Sequence, residues 1–343
     1  MRQEVINLNS KREVTLTAYV QEVGGEFIFS KRPAILILPG GGYAMCSDRE
    51  ADPVAMAYLK AGYQAFILRY STGEHKTWPN PLEDYEQAMA LILERAEEWH
   101  LDSSRIAAVG FSAGGHLCAC AATIAKHKPA AAILVYPAIL KDICDLCQPG
   151  MPQPNEHVTG ETCPCFLVAC RDDRTVDVKN TLMMELALAE KGIPFESHIY
   201  SYGGHGFSAA EEWVVDNSRS ARVPDWVESS IGWLKETMGT LTVKGISEPN
   251  IAVSKNGDTA PVLSVMCTLN HLRGQSDEAQ AVLRPLFEGM QAIADARGYA
   301  MEGLMAAVGN CTARELMEMV QLDPDKIHEI DRILHGIVNV VSK

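Results

Sequence analysis

The sequence predicts an α/β fold: a mostly parallel, doubly wound sheet followed by a small C-terminal helical appendage. Two observations carry this expectation. Short, dense apolar runs alternate with segments whose apolar residues recur at helical spacing, the pattern of buried strands with helices laid over them. After Val243 the pattern breaks into KGISEPNIAVSKNGDTAP, which is polar and turn-rich, and the remainder is helical. At 343 residues the chain is also longer than one core comfortably fills. The expected division is a main domain at 1–242, a linker at 243–259 and a helical domain at 260–343.

Taken in order, VTLTAYV (Val14–Val20) alternates apolar and polar residues, the period of a half-buried antiparallel strand, and is expected at a sheet edge. AILIL (Ala34–Leu38), YQAFILRY (Tyr63–Tyr70), RIAAV (Arg105–Val109) and AAILVY (Ala131–Tyr136) read as central parallel strands. Between them, Ala51–Ala61 reads as a helix closed by Gly62, and Leu82–His100 carries Leu82, Tyr85, Ala88, Met89 and Ile92 on one helical face. The alternation continues through the strand FLVA (Phe166–Ala169), a helix near Lys179–Lys191, the strand Phe195–Tyr200 and a helix near Trp226–Met238. In the appendage, Thr312-x-x-Glu315 is a capping box. Asp323-Pro324 sets an N-cap before an N1 proline, ahead of Ile327, Ile330, Leu334, Ile337 and Val338 on one face.

Composition narrows the function classes. An apolar fraction of 47% and a charged fraction of 22% are those of a soluble globular protein. The net charge of −14 argues against a nucleic-acid partner, because phosphate binding depends on clustered Lys and Arg. MRQEVINLNS has no apolar run behind a basic start, so neither an export signal nor a membrane partner is expected and the protein is read as cytoplasmic. There, ten cysteines read as reduced core thiols. Cys144-x-x-Cys147 and Cys163-x-Cys165 are separated as in a zinc ribbon. The second pair, however, is one residue too close for a knuckle and Cys165 opens an apolar strand, so no metal is expected.

The chemistry centres on Gly110-Phe111-Ser112-Ala113-Gly114, a Gly-x-Ser-x-Gly elbow standing after a strand and before the helix GHLCACAATIAKH. The tight turn pushes the Ser112 hydroxyl out at the C-terminal edge of the sheet, and the helix offers its positive end to a developing anion. Pro39-Gly40-Gly41-Gly42-Tyr43, directly after AILIL, reads as a loop whose Gly41 and Gly42 amides, with that of Ala113, form an oxyanion hole. Among ten histidines, His205 lies in the glycine-rich loop SYGGHGF after a strand, late in the chain as the order Ser, Asp, His requires, and reads as the general base. His116, inside the elbow helix, reads as a structural hydrogen-bonding residue. The acid should follow a strand between Ser112 and His205, where Asp172 and Asp173 both stand.

Together these segments resemble the acetyl-xylan esterase and related carbohydrate-esterase branch of the α/β-hydrolase superfamily. The resemblance runs from Ala34 to Met238 through PGGGY, SDREADPVAMAYLKAGYQAFILRYST, the approach WPNPLEDYEQAMALILERAEEWHLDSSRIAAVGFSAGGHL and the close GGHGF. It implies the α/β-hydrolase fold and a triad of Ser112, Asp173 and His205, the acid being the aspartate two residues before a Thr-Val pair, here Thr175-Val176. The sequence departs from the family at Arg171-Asp172. The resemblance further implies release of short acyl groups, chiefly acetyl, from xylo-oligosaccharides or related sugars, with a small-molecule ester as partner and no cofactor. A serine peptidase acting on small peptides would use the same constellation, and a non-catalytic binding protein would share the fold. The C-terminal part resembles small helical tails of some glycan-processing enzymes. It is read as a packing or dimerisation appendage without chemistry, which admits a homo-oligomer.

Overall fold

The computed structural model describes residues 1–215, 220–249 and 257–340, and the chain divides into two compact units, Met1–Val253 and Ser254–Lys343. The first is built on eight strands: β1 (Arg2–Asn9), β2 (Val14–Val20), β3 (Arg32–Leu38), β4 (Gln64–Arg69), β5 (Leu101–Phe111), β6 (Ala131–Val135), β7 (Cys165–Cys170) and β8 (Phe195–Tyr200). They lie in the order β1-β2-β4-β3-β5-β6-β7-β8. The pairs from β4 to β8 are parallel, and β2 runs against both β1 and β4.

Every residue of β3, β6 and β7 is buried, which is why β6, β7 and the part of β3 from Ala34 onward read as unbroken apolar runs. Alternate side chains enter two separate cores. Leu36, Leu38, Leu68 and Ala108 face α2 (Asn80–Glu94), α3 (Ser112–Thr123) and α5 (Lys179–Glu190), through Tyr85, Met89, Leu117, Met184 and Leu188. Ile35, Ile37, Ile67 and Val109 face α1 (Asp52–Lys60) and α6 (Asp225–Met238), through Val54, Tyr58, Trp226 and Leu234. Helices on both faces of a mostly parallel sheet make this a doubly wound α/β architecture. Among the described residues no helix is long and apolar enough to cross a membrane.

Two local expectations about these elements are corrected. Val14–Val20 is not the edge: β1 pairs with it in register, and the alternation Glu4, Ile6, Leu8 turned inward against an exposed Val5 is that of an edge strand. The helix expected to reach His100 stops at Glu94, after which the chain turns and His100 takes φ +53°. Within the polar stretch after Val243, Gly245–Ile246 pairs with Leu241–Thr242 in a hairpin of β9 (Leu241–Thr242) and β10 (Gly245–Ile246). Residues 250–256 of that stretch lie outside the described residues.

The second unit holds α7 (Leu269–Arg273), α8 (Asp277–Arg297), α9 (Met301–Val308), α10 (Ala313–Met319) and α11 (Pro324–Leu334) around its own core. Thr312 and Glu315 form the reciprocal capping box, and the Asp323 carboxylate accepts from the Asp325 amide at the start of α11. Leu334 and Ile337 are buried, but Val338 is 73% exposed. The helix has ended by then, and Val338 makes an antiparallel bridge to Val262 instead of continuing the helical face.

Candidate active site

The site is assembled at the C-terminal ends of β3, β5, β6, β7 and β8, where parallel strands deliver their loops to one edge of the sheet. β5 ends at Phe111 and α3 begins at Ser112, with no residue between. That abrupt turn forces Ser112 to φ +51°, a strained position for a residue with a side chain. The flanking glycines are needed for close approach. A Cβ on Gly110 would lie 2.1 Å from the Gly114 carbonyl oxygen, and one on Gly114 would lie 2.0 Å from the Leu38 carbonyl oxygen.

His205 Nδ1 lies 2.6 Å from Asp173 Oδ2, and His205 Nε2 lies 2.9 Å from Ser112 Oγ. A carboxylate can only accept, so Nδ1 carries the proton and the Nε2 lone pair faces the serine hydroxyl. Asp173 is buried, its side chain 1% exposed, and its second oxygen accepts from the amides of Thr175 and Val176 at 2.8 and 2.9 Å. Asp172 points elsewhere. Its Oδ1 accepts from the amides of Gly203 and Gly204 at 2.9 and 3.0 Å, bracing the loop that carries His205. The Gly204 amide, more than any other group, holds the Asp172 carboxyl below its ordinary range.

The loop after β3 arches beside the serine. Gly41 takes φ +134°, and a Cβ there would fall 2.2 Å from the Met45 carbonyl oxygen, so the glycine lets the backbone fold back on itself. Neither the Gly41 nor the Gly42 amide donates to a protein acceptor among the described residues, and both residues line the same cleft as Ser112 and Ala113. The loop is fixed at its far end by buried Tyr43, whose hydroxyl meets His116 Nδ1 at 2.8 Å. His116 Nε2 lies 2.8 Å from the Pro152 carbonyl oxygen, which can only accept. His116 is therefore the neutral Nε2–H tautomer, with Nδ1 accepting from Tyr43. Burial pushes its pKa down to about 4.

Two residues that sequence reading passed over complete the arrangement. Glu50, 4% exposed, accepts from the Gly40 amide at 2.7 Å and from the Tyr136 hydroxyl at 2.6 Å. Burial pushes its carboxyl up, opposed by those two hydrogen bonds and by the nearby His205 and Arg49. Tyr136, at φ +37°, sets its ring edge-on to His205 at 4.7 Å and to Phe207 at 4.5 Å, and its hydroxyl accepts from the Ser208 amide. The signals were faint: a glutamate immediately ahead of an apolar helix, and a tyrosine closing a buried strand before Pro137.

These residues open onto a cleft of about 400 Å³ with apolar walls at Met45, Ile143, Leu146 and Val176 and polar groups at Arg49 and Thr175. α4 (Lys141–Cys147) contributes one side, including Cys147. The ten cysteines are free thiols, and among the described residues no three His, Cys, Asp or Glu side chains are grouped to hold a metal ion.

Comparison with known proteins places the chain among hydrolases. The family model BD-FAE matches residues 28–134. An endo-1,4-beta-xylanase B of Butyrivibrio fibrisolvens is 31% identical over 215 residues, covering 53% of this chain and 33% of that protein. An acetylxylan esterase of Xylanibacter ruminicola is 28% identical, covering 57% and 45%. The chain thus spans a third to somewhat under half the length of these curated relatives. Among solved structures, an α/β-hydrolase enzyme from a Medee basin deep-sea metagenome library is 39% identical with a TM-score of 0.65, covering 69% of this chain and 98% of that one. An acetyl ester-xyloside bifunctional hydrolase from Caldicellulosiruptor lactoaceticus is 26% identical with a TM-score of 0.61, covering 68% and 96%.

Proposed function

The chain belongs to the α/β-hydrolase superfamily, and from that membership we propose that its first unit is a serine carboxylic ester hydrolase acting on short acyl, chiefly acetyl, esters of xylo-oligosaccharides or related sugars. The observation that carries this reading is the continuous hydrogen-bonded chain from Asp173 through His205 to Ser112 on the floor of a cleft.

In this reading the Ser112 oxygen attacks the ester carbonyl carbon while its proton passes to His205 Nε2. Asp173 holds the imidazole in the productive tautomer and balances the imidazolium. The carbonyl oxygen becomes an oxyanion facing the amides of Gly41, Gly42 and Ala113, whose donors need no reorganisation. Collapse breaks the bond to the sugar oxygen, which takes the proton from His205. A water molecule, deprotonated by the same imidazole, then attacks the acyl-enzyme, and its collapse frees the carboxylic acid and restores Ser112. No cofactor enters any step.

The substrate class rests on the names of the relatives, which speak of acetylxylan and acetyl ester-xylosides, and on a cleft of about 400 Å³, which suits a small acyl group joined to a sugar. The deciding experiment is an assay of acetylated xylo-oligosaccharides beside nitrophenyl esters from acetyl to octanoyl, with Ser112→Ala as control. The expected result is turnover of acetyl substrates, lost in the variant, with a graded decline beyond butyryl because each methylene shifts discrimination by about 1–3 kcal/mol. Sustained octanoyl turnover, or cleavage of model amides at comparable rates, would overturn the short-acyl reading.

A further inference from the structure

Glu50 is a buried carboxylate between the two loops on which the proposed ester hydrolysis depends. One oxygen accepts from the Gly40 amide at 2.7 Å, at the entrance to the Gly41-Gly42 turn. The other accepts from the Tyr136 hydroxyl at 2.6 Å, and that hydroxyl receives the Ser208 amide three residues beyond His205. The Tyr136 ring is the surface against which the His205 imidazole rests. Gly40 has no slack: a Cβ there would meet Glu50 Oε2 at 2.8 Å and the Phe111 carbonyl oxygen at 2.6 Å. The Arg49 carbonyl, next in the chain, accepts from the Ser208 hydroxyl, a second tie to the histidine loop.

We infer that Glu50 is a positioning residue, resting on the esterase reading: it clamps the oxyanion loop to the histidine loop, so that donors and base keep one geometry, and it places an anion beside the imidazolium of the transition state. Its reach is specific. A shorter acid cannot span from the Gly40 amide to the Tyr136 hydroxyl, and a neutral amide keeps the span but loses the charge. Burial pushes the Glu50 carboxyl up, and against it stand the Gly40 amide and the Tyr136 hydroxyl, which both donate to its oxygens as they would to a carboxylate. The other charged or titratable groups near the pair, Asp173, Tyr136, Tyr70 and Cys46, are left in place by substitutions at Glu50.

The test measures nitrophenyl acetate hydrolysis and the rate of Ser112 labelling by a fluorophosphonate, both against pH, in the full chain. In Glu50→Gln, kcat should fall on the order of 10²-fold with KM changed less than about threefold, the size expected when oxyanion donors lose alignment. An anion near an imidazole raises its pKa, and the base must be neutral to act. Removing the charge should therefore move the acid limb of kcat/KM and of labelling to lower pH, by about half a unit or more. Glu50→Asp keeps the charge, so its acid limb should stay with the wild type while kcat falls on the order of tenfold. Wild-type kcat and an unmoved limb in folded Glu50→Gln would overturn the inference. Should that variant not fold, wild-type kcat in folded Glu50→Asp would overturn it alone. A wild-type chain that neither hydrolyses the ester nor takes the label defeats the esterase reading and this inference with it, whereas an active wild type matched by its variants defeats this inference only.

Discussion

Two neighbouring aspartates show how much a single position decides. Asp173 is buried and its free oxygen is already committed to two amides, so its other oxygen meets His205 at one fixed distance. Asp172, on the same loop, turns the opposite way and braces Gly203 and Gly204. Asp173→Asn should fold normally yet lose kcat on the order of 10⁴-fold, because the amide favours the wrong tautomer and leaves the imidazolium without a countercharge. Asp172→Asn keeps an acceptor oxygen for the two glycine amides and should cost about tenfold or less. Steady-state kinetics with circular dichroism on both variants checks the assignment, which is off by one if the effects trade places. That Ser112 and His205 come together was legible from motif and chain order, whereas the residues themselves left both acids open and only the resemblance, through Thr175-Val176, pointed to Asp173, since facing is set by the loop's turn. Glu50 was illegible for another reason: its partner Tyr136 is 86 residues away, and nothing local marks the pairing.

At the scale of elements, the strand–turn–helix unit at β5 and α3 carries both the proposed nucleophile Ser112 and the support of the proposed oxyanion loop. Gly114 packs against the backbone of β3, where an added methyl would sit 2.0 Å from a carbonyl oxygen that cannot move without dislodging the loop it leads into. Gly114→Ala should lower stability by about 3 kcal/mol or prevent folding, read by urea unfolding, and a variant as stable as wild type would show that β3 can retreat. The same helix ties down Tyr43 through neutral, buried His116. Unfolded, that imidazole binds a proton near its ordinary 6.5, and native it does so only near pH 4. Between those values the unfolded chain holds more protons, so the stability conferred is full above pH 6.5 and is lost as pH falls toward 4, by up to about 3 kcal/mol. In His116→Gln the decline over that interval should be shallower by up to about 1.4 kcal/mol per pH unit, measured by denaturant unfolding from pH 7 to 4, and parallel curves would refute it. The central parallel strands AILIL, AAILV and CFLVAC were legible because burial on both faces leaves no room for polar residues, whereas the outer strand FESHIY is only partly buried and keeps Glu196, Ser197 and His198. β1 was missed because it has a solvent face and few apolar residues, so its alternation is short and weak.

At the scale of the whole molecule, the proposed chemistry and the C-terminal helices belong to different units. Every residue given a role lies before Val253, and the helices of Ser254–Lys343 close around their own apolar cluster. A cut placed at the polar stretch after Val243 would not respect this division. Gly245–Ile246 pairs with Leu241–Thr242, the Ser247 amide donates to the Thr240 carbonyl, and Arg105, on the central strand that leads to Ser112, donates to the Met238 carbonyl at the end of α6. The hairpin therefore closes the first unit instead of linking it to the second. Ending the chain after Val253 should keep kcat/KM for nitrophenyl acetate within about threefold of the full protein, with the fluorophosphonate still labelling Ser112. Ending it after Lys244 removes one strand of the hairpin and should lower the thermal midpoint while leaving the same residues in the cleft, so its activity at low temperature should persist and its half-life on warming should shorten. A folded protein ending at Val253 that neither hydrolyses the ester nor takes the label would mean that the helical unit supplies part of the working site.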